Sequence, residues 1–448
     1  MISYIPSTDK EVREMLDFIG VKDAEELFSD IADDLRLKGP LNLPEAKSEQ
    51  EVYTYMKKLA KENISGEDYP VFFGGGAYDH LIPSVIPSIA GISEFYTSYT
   101  PYQPEVSQGT LQYIFEYQSM LSDLTGMDLS NASLYDGGTA LMEAALLAVN
   151  YSKRKKILVS ATVSPSYRTI LNTYARAQGI EVVQIPYVHG VTDLKALEEL
   201  TDKDVAGVIV QSPNYFGFIE DIEKEAEITH RVKKVSFIQA LDPLSLGILK
   251  RPGNMGVDIV VGEGQTLGMP MNFGGPYLGI MSLRKAYMRK MPGRIVGQTT
   301  DVHGKRAWVL TLSAREQHIR REKATSNICS NQGINTLIAA CYMALLGKKG
   351  FREVALQCAQ KAHYLYEKIL EIDGFEKMCD APFWMEFPVQ SKYSGEEIQK
   401  ALYEQGIHGG LSVQEAYPEL GNTVLFAITE KRTKEEMDRL IEVLRGLK

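Results

Sequence analysis

Residues 260–279 read VVGEGQTLGMPMNFGGPYLG, and the interpretation of the fold depends on this stretch. An apolar run, DIVVG (258–262), leads into a loop rich in glycine, and a second glycine cluster leads into another apolar run, YLGIMS (277–282). Open α/β sheets build their sites where buried strands end in loops. The stretch therefore predicts a buried sheet with a site at its edge.

Four further apolar runs precede this stretch and extend the predicted sheet. They are KILVSA (156–161), EVVQIPY (181–187), AGVIVQ (206–211) and VSFIQA (235–240), and helical patterns lie between the early ones. The runs are continuously apolar, which is typical of parallel strands covered by helices on both faces. An α/β fold with strand–helix–strand units is therefore expected.

The sequence predicts three regions. Residues 1–65 form an N-terminal helical extension, in which Thr8 with Glu11 and Ser48 with Glu51 have the spacing of capping boxes. Residues 66–325 form a large α/β domain, and residues 326–448 form a linking helix and a small C-terminal α/β domain. The whole stretch from 315 to 370 reads as helical.

The first part of the large domain, residues 66–112, is rich in glycine, proline and tyrosine and has weak periodicity. Such long irregular segments are uncommon in compact domains unless they serve a function. Within it, Tyr96, Tyr99 and Tyr102 recur every three residues, followed by Gln103. Tyrosines suit pockets and interfaces because one end is apolar and the other polar, although ordinary packing is the alternative.

Composition excludes several classes of function. The net charge of -10 argues against nucleic-acid binding, and no apolar run is long enough to predict a membrane span. The beginning of the chain lacks the pattern of a signal peptide. Four scattered cysteines indicate a reducing, cytoplasmic location, and seven scattered histidines make no pattern of metal ligands, so no metal is assigned.

Two motifs could hold a charged ligand. Gly137, Gly138 and Thr139 form a turn that opens a helix, where free N–H groups can bind an anion; the alternative is a plain turn with Thr139 as the N-cap. Asp242 follows a buried strand, where a carboxylate could pair with a cationic ring nitrogen, or could only cap the loop before Pro243.

A charged stretch, SAREQHIRREKATSN (313–327), leaves two alternatives open. Arg315, Arg320 and Arg321 alternate with acidic residues, which is typical of a solvated helix face. The same charges could instead contact a partner chain or an anionic ligand.

Three long motifs in order carry a family resemblance: SYTPYQPEVSQG (98–109), NASLYDGGTALMEAALLA (131–148) and the stretch at 260–279. Together they resemble the glycine decarboxylase P-protein family of the glycine cleavage system, and specifically its N-terminal half, which in some bacteria and archaea is a separate subunit 1. The resemblance implies a pyridoxal-phosphate (PLP) transferase fold of type I. It also implies a reaction in which glycine is decarboxylated on PLP and its aminomethyl group passes to the lipoyl arm of H-protein.

The departures from the family's catalytic half are informative. That half has a lysine–threonine pair whose lysine forms the imine with PLP, whereas Gln265 and Thr266 occupy these positions here. A histidine that stacks on the cofactor is also absent from SATVSPSYR (160–168), where Tyr167 lies nearby, while Asp242 matches the partner of the ring nitrogen. The resemblance therefore implies a vestigial cofactor site, made of Gly137, Gly138, Thr139, Asp242, Gln265 and Thr266.

The resemblance further implies that this chain is the non-aldimine subunit of a heteromeric glycine decarboxylase. Its partner, the catalytic P-protein subunit 2, would bind PLP covalently in an α2β2 assembly that uses glycine and lipoylated H-protein. The residues expected to reach the partner's site are Tyr96, Tyr99, Tyr102, Gln103, Asn272, Gly274 and Gly275. Two alternatives remain: a structural or regulatory paralogue that contributes no site residue, and a self-sufficient PLP lyase or desulfurase using Lys250, which the spacing does not support.

Overall fold

The computed structural model describes residues 7–272 and 274–447 and divides the chain into two compact units, residues 1–63 and 64–448. The first unit contains helices α1 (Asp9–Ile19) and α2 (Glu49–Ala60). Both begin with the predicted capping boxes, and α1 ends at Gly20 in the left-handed conformation. None of the unit's residues from 7 onward is buried, so local capping rather than a core supports these helices.

The second unit contains the remaining helices and all the described strands. Its helices are α3 (Val85–Ala90), α4 (Ser93–Tyr96), α5 (Gln108–Thr125), α6 (Gly137–Ser152), α7 (Pro165–Gln178), α8 (Leu194–Leu200), α9 (Ile222–His230), α10 (Gln317–Arg320), α11 (Gly333–Leu370), α12 (Gly395–Glu404) and α13 (Lys434–Arg445). Its strands are β1 (Val71–Phe72), β2 (Leu129–Ser130), β3 (Lys156–Ser160), β4 (Glu181–Ile185), β5 (Tyr187–Val188), β6 (Val191–Thr192), β7 (Val205–Gln211), β8 (Ser236–Leu241), β9 (Ile259–Glu263), β10 (Gly279–Leu283), β11 (Ile295–Thr300), β12 (Arg306–Thr311), β13 (Phe375–Lys377), β14 (Glu386–Ser391), β15 (His408–Gly409), β16 (Leu411–Ser412) and β17 (Thr423–Ala427).

The main sheet has seven strands in the order β2-β10-β9-β8-β7-β3-β4. The five strands from β9 to β4 are mutually parallel, which confirms the mostly parallel sheet predicted from the apolar runs. The last apolar run, β10, pairs antiparallel with β9. The connection between them is the glycine-rich loop, which lacks the crossover helix that a parallel neighbour requires.

Helices cover both faces of this sheet. Ile157 and Val159 of β3 belong to a core cluster with residues of α6 and α7, whereas Leu158 belongs to a second cluster with residues of α5, α9 and α11. Side chains alternate between the two faces of a strand, so a continuous apolar run buries both. The strand ends therefore become the places where polar groups can gather.

The helix predicted over 315–370 begins later than expected. Only the short α10 and 3-10 turns precede α11, which starts at Gly333 and contains a left-handed residue, Gly347. Side chains in the intervening segment bond to backbone groups instead: Ser326 Oγ accepts from the Ile328 N–H, and Asn331 donates to Ala132 O. The bond at Ser326 is local and competes with helix formation, whereas the bond of Asn331 holds the segment against a distant part of the chain. The hairpin β11–β12 was also missed.

The C-terminal part contains a four-stranded sheet, β13-β14-β17-β16, which packs with α12 and α13 around a core of large apolar side chains. Strands and helices alternate in this part, as an α/β region requires. It lies within the same compact unit as the main sheet, and the predicted domain boundary at 325/326 stays a prediction. In the described part of the chain, no helix has the length and apolar character needed to cross a membrane.

Candidate cofactor-like site

A small cavity lies where the central strands of the main sheet end. Gln211 ends β7, Asp242 follows β8, and Glu263 ends β9. The cavity has a volume of about 40 Å³. Its lining residues are Gly76, Tyr78, Tyr167, Gln211, Pro213, Asn214, Gly217, Leu241, Asp242, Glu263, Trp384, Met385 and Glu386. The cavity is therefore at the carboxyl edge of the parallel strands, where ligands bind in open α/β sheets.

Gln265 is completely buried beside this edge and uses its whole amide in hydrogen bonds. Its Oε1 accepts from the Tyr78 N–H at 3.0 Å, and its Nε2 donates to Tyr78 O at 3.0 Å and to Met269 O at 2.7 Å. The amide thus pairs with both backbone groups of Tyr78, as a neighbouring strand would. Gln265 therefore joins the irregular segment at residues 66–112 to the glycine-rich loop.

Asp242 both caps a turn and lines the cavity. Its Oδ1 accepts from the Leu244 N–H at 2.8 Å, in the 3-10 turn that follows, and from the Thr266 hydroxyl at 2.8 Å. Burial raises the pKa of Asp242, while the charge of His80 acts in the opposite direction. The cap that the sequence offered as one alternative is therefore present, and pairing with a cationic ring nitrogen stays a prediction.

The glycine turn that opens α6 already holds an internal carboxylate. The Gly137 N–H donates to Glu263 Oε2 at 2.9 Å, and the other oxygen of Glu263 accepts from the Leu278 N–H at 2.9 Å. The N-cap is Asp136, whose Oδ1 accepts from the Thr139 N–H at 2.8 Å. Thr139 is therefore not the N-cap that the plain-turn alternative named. Glu263 fills the position that an anionic ligand would take at this helix N-terminus.

A third carboxyl group, Glu386, lines the cavity. Glu386 is buried and accepts from the Gly75 N–H at 2.7 Å and the Tyr78 hydroxyl at 2.8 Å. Burial raises the pKa of Glu263 and that of Glu386 to about 7 each. With Asp242, three carboxyl groups surround the small volume. A phosphate brought here would meet carboxyl groups, whose charged forms repel it, and none of the lining residues is a lysine or arginine.

These residues do not fit PLP. The carboxamide of Gln265 is not a nucleophile that forms imines. Both its oxygen and its nitrogen are already hydrogen-bonded, to Tyr78 and Met269. Glu263 holds the amide that would bind the phosphate. The Tyr167 hydroxyl covers Gly137 so closely that a Cβ there would lie 2.2 Å from it. Pockets for cofactor-sized ligands usually reach about 300 Å³ or more, far above the observed cavity.

The structure brings together one group of metal-ligand types that the sequence did not suggest: His80, Cys358 and Glu430, whose ligand atoms lie within 4.8 Å of one another. His80 Nδ1 lies 2.6 Å from Glu430 Oε2, which also accepts from Cys358 Sγ at 3.5 Å. The other Glu430 oxygen accepts from the Leu81 N–H at 2.7 Å. These bonds tie the segment at residue 80 to the chain after β17, which accounts for the cluster without an ion.

The predicted tyrosines lie on a different surface, in residues 96–108, which we call the tyrosine segment. Tyr96 is 72% exposed, Tyr99 is 82% exposed and Tyr102 is 53% exposed, and Gln103 is also exposed. Tyr102 lies over the guanidinium of Arg294, with 5.5 Å between its ring centroid and Cζ. The exposed rings are available for contact with another molecule.

The Asn272 turn is held by short-range bonds. The Asn272 N–H donates to the Tyr277 hydroxyl at 3.2 Å, and the Gly275 N–H donates to Asn272 O at 2.8 Å. Gly274 has φ +82°, a left-handed conformation that favours glycine. Phe273 lies outside the described residues. Among those described, no hydrogen bond joins this turn to the tyrosine segment.

Sequence reasoning missed Tyr78, Glu263 and Glu386. Glu263 had a usable signal, since it is a carboxylate at the end of a buried strand, as is Asp242. Tyr78 had none, because its contact with Gln265 joins residues 187 positions apart.

Comparison with known proteins gives concordant findings. The family model described as "Glycine cleavage system P-protein" matches residues 2–444. A relative from Carboxydothermus hydrogenoformans, named probable glycine dehydrogenase (decarboxylating) subunit 1, is 53% identical over 445 residues, which cover 99% of this chain and 100% of the relative. A relative from Moorella thermoacetica with the same name is 51% identical over 446 residues, which cover 100% of both chains.

Solved structures agree at two levels of similarity. A crystal structure of glycine decarboxylase (P-protein) of the glycine cleavage system, in inhibitor-bound form, is 42% identical with a TM-score of 0.91 and full coverage of both chains. A structure of C-DES with glycine covalently linked to its PLP cofactor is 15% identical with a TM-score of 0.63, covering 86% of this chain and 100% of that one. The second likeness concerns the fold alone.

Proposed function

Since the chain belongs to the glycine cleavage system P-protein family, we propose that it is the non-aldimine subunit of a two-subunit glycine dehydrogenase (decarboxylating). Its fold is that of PLP-dependent type I enzymes. The observation that carries the proposal is Gln265, a buried amide with three hydrogen bonds at the position where the family's catalytic half has its imine-forming lysine. This chain is a necessary part of an enzyme whose cofactor chemistry occurs elsewhere.

The relatives' name, subunit 1, supports a second subunit as the partner. PLP bound to that partner supplies an electron sink for decarboxylation of glycine. The acidic cavity of this chain and its occupied helix N-terminus support placing the cofactor on the partner. An α2β2 assembly and transfer of the aminomethyl group to lipoylated H-protein complete the proposal.

The contribution of this chain is a rigid surface that completes the partner's site. Gln108 clamps the tyrosine segment to the hairpin: its Nε2 donates to Trp308 O at 2.9 Å, and its Oε1 accepts from the Trp308 N–H at 3.0 Å. The segment is therefore anchored although its tyrosine rings are exposed. Anchored aromatic side chains with polar tips exclude water from a shared site and orient polar ligands at low entropic cost. The Asn272 turn is the second proposed contributor.

Reconstitution tests this function. The chain is expressed alone and together with its partner subunit, and glycine-dependent CO2 exchange is measured in the presence of PLP and lipoylated H-protein. Activity is expected only from the complex. Borohydride reduction of the isolated chain with PLP is expected to give no pyridoxyl-lysine peptide. Turnover by the chain alone, or such a peptide, contradicts the proposal.

A tyrosine series separates this proposal from a purely structural or regulatory role. Tyr96, Tyr99 and Tyr102 are each replaced by phenylalanine and by alanine in the complex. A subunit that completes the site is expected to lose turnover in at least one phenylalanine variant while the complex still assembles. If assembly and turnover survive all six substitutions, the structural role gains support.

A further inference from the structure

A second pocket, beside the tyrosine segment, contains two arginines. Arg294 is 4% exposed and donates from Nη1 to Asn331 Oδ1 at 3.1 Å and from Nη2 to Cys329 O at 2.8 Å. Arg315 donates to Gly293 O at 2.9 Å and to Leu312 O at 3.2 Å. The pocket is lined by Gly293, Arg294, Arg315, Glu316, Thr325, Ser326, Ile328, Cys329 and Ser330. The hydrogen-bond acceptors of both guanidinium groups are therefore neutral.

The charges of this pocket do not balance. The nearest carboxylate, Glu316, lies 3.8 Å from Arg294 Nε, beyond hydrogen-bonding distance. Within the described structure, the buried Nε of Arg294 and the Oε1 of Glu316 have no hydrogen-bond partner. His318 shares the same carboxylate at 3.7 Å. The buried Glu143 carboxyl, which accepts from the pocket residue Ser326 at 2.5 Å, has its pKa raised by burial to about 7 and therefore offsets the two arginines only in part. The remaining positive charge in this largely buried place is costly unless an anion offsets it.

The shape of the pocket favours an anion that inserts a single oxygen. Its volume is about 10 Å³, close to the least that holds one water-sized atom. The hydroxyl-bearing residues Thr325 and Ser330 line it together with the two guanidinium groups, and these are the donors that carboxylate and phosphate oxygens prefer. Burial lowers the pKa of Arg315, and the charge of Glu316 acts in the opposite direction without cancelling the effect.

We propose that the pocket between Arg294 and Arg315 is a binding site for an oxyanion, either a carboxylate or a phosphate. Tyr102 connects it to the tyrosine segment, because its hydroxyl lies 3.4 Å from Arg294 Nη2. The inference rests on the proposed function for the origin of the anion: the carboxylate of glycine or the phosphate of PLP at the partner's site. Within the charged stretch at 313–327, the proposal assigns anion binding to Arg315, which lines the pocket. Arg320 and Arg321 are exposed, as expected for solvated side chains.

The main experiment uses the reconstituted complex with Arg315→Gln, and Arg320→Gln as the matched control on the same segment. The KM for glycine and the Kd for PLP are measured for both variants and for the wild-type complex. Loss of a charge-assisted hydrogen bond is expected to weaken one of these constants by about tenfold to a hundredfold. A rise in KM alone identifies the glycine carboxylate, and a rise in Kd alone identifies the phosphate. The control is expected to match the wild type.

A second measurement separates failure of this site from failure of the proposed function. Inorganic phosphate and acetate are titrated into the isolated full chain, and the midpoint of thermal unfolding is followed. The wild type is expected to be stabilised, Arg315→Gln is not, and Arg294→Lys, which keeps the charge, retains part of the effect. If neither anion stabilises the chain and Arg315→Gln changes neither constant in an active complex, the oxyanion site is wrong. An inactive wild-type complex contradicts the proposed function, and the titration still tests the pocket.

Discussion

Replacing Gln265 by leucine is expected to release the segment around Tyr78 from the main sheet. Leucine has a similar volume and no hydrogen-bonding group, so the Tyr78 N–H, Tyr78 O and Met269 O lose their bonds to the amide. Leaving a buried polar group unpaired costs about 1–3 kcal/mol. Three such groups would together cost about 3–9 kcal/mol. Because Tyr78 is only partly buried, we expect a loss near the lower end, about 3–4 kcal/mol.

Hydrogen exchange is the suitable assay because the loss is local. A reduction of about 3–4 kcal/mol in the free energy of local opening speeds exchange by about a hundredfold to a thousandfold. The amides of residues 74–81 should show this change, whereas those of the central strand β7 should change much less. Gln357→Leu is the control, since Gln357 makes one exposed hydrogen bond on α11. If the Tyr78 amide exchanges at the wild-type rate in Gln265→Leu, the proposed fastening role is wrong.

Three further predictions concern pH, backbone space and the exposed tyrosines. Burial raises the pKa of Glu263 and that of Glu386 from the ordinary 4.5 to about 7. The folded chain therefore binds more protons than the unfolded chain, and its stability should fall by about 3 kcal/mol per group as pH rises from about 4.5 to 7. Chemical denaturation at a series of pH values should show a flatter dependence of stability on pH for Glu386→Gln. Gly217→Ala places a Cβ 1.8 Å from Glu386 O at a backbone φ of +87° and should destabilise the chain by more than about 3 kcal/mol. Gly304→Ala, where the added Cβ meets no atom within 4 Å, should cost only about 1–2 kcal/mol. Thermal unfolding of the two variants measures this difference. Tyr99→Ala should leave the free energy of unfolding within about 0.5 kcal/mol and weaken binding to the partner by about 2 kcal/mol, measured by titration calorimetry; equal affinities would contradict its place in the interface.

The sequence predicted the sheet well because its central parallel strands are continuous apolar runs, although the edge strand β4 exposes Glu181 and Gln184. A strand buried on both faces has a pattern that depends on its own residues only. The family and the type I fold, predicted from three motifs, are confirmed. The hairpin β11–β12 was missed because both of its strands are partly exposed. The late start of α11 depends on side-chain bonds to distant backbone groups such as Ala132 O.

The candidate site was predictable only in part, for the same physical reason. The position of Asp242 follows from the end of one strand, and a local pattern is enough to find it. The occupants of the cavity depend on long-range pairs: Gln265 with Tyr78, and Glu263 with Gly137. The family resemblance implies that glutamine replaces a lysine at 265, but a single sequence does not show which residues this glutamine contacts.

The two long-range pairs, Gln265 with Tyr78 and Glu263 with Gly137, are separate obstacles to PLP at this edge of the sheet. A lysine at position 265 alone would still face Glu263 on the Gly137 N–H, and the phosphate of PLP would have to displace a carboxylate that also accepts from Leu278. Removing Glu263 alone would leave Gln265 bonded to Tyr78, with no amine to form an imine. Either change leaves the other obstacle in place, and each costs stability without making a site. The internal bonds of Gln265 and Glu263 thus hold this edge of the sheet together, and under the proposed function the chain acts through its outer surface.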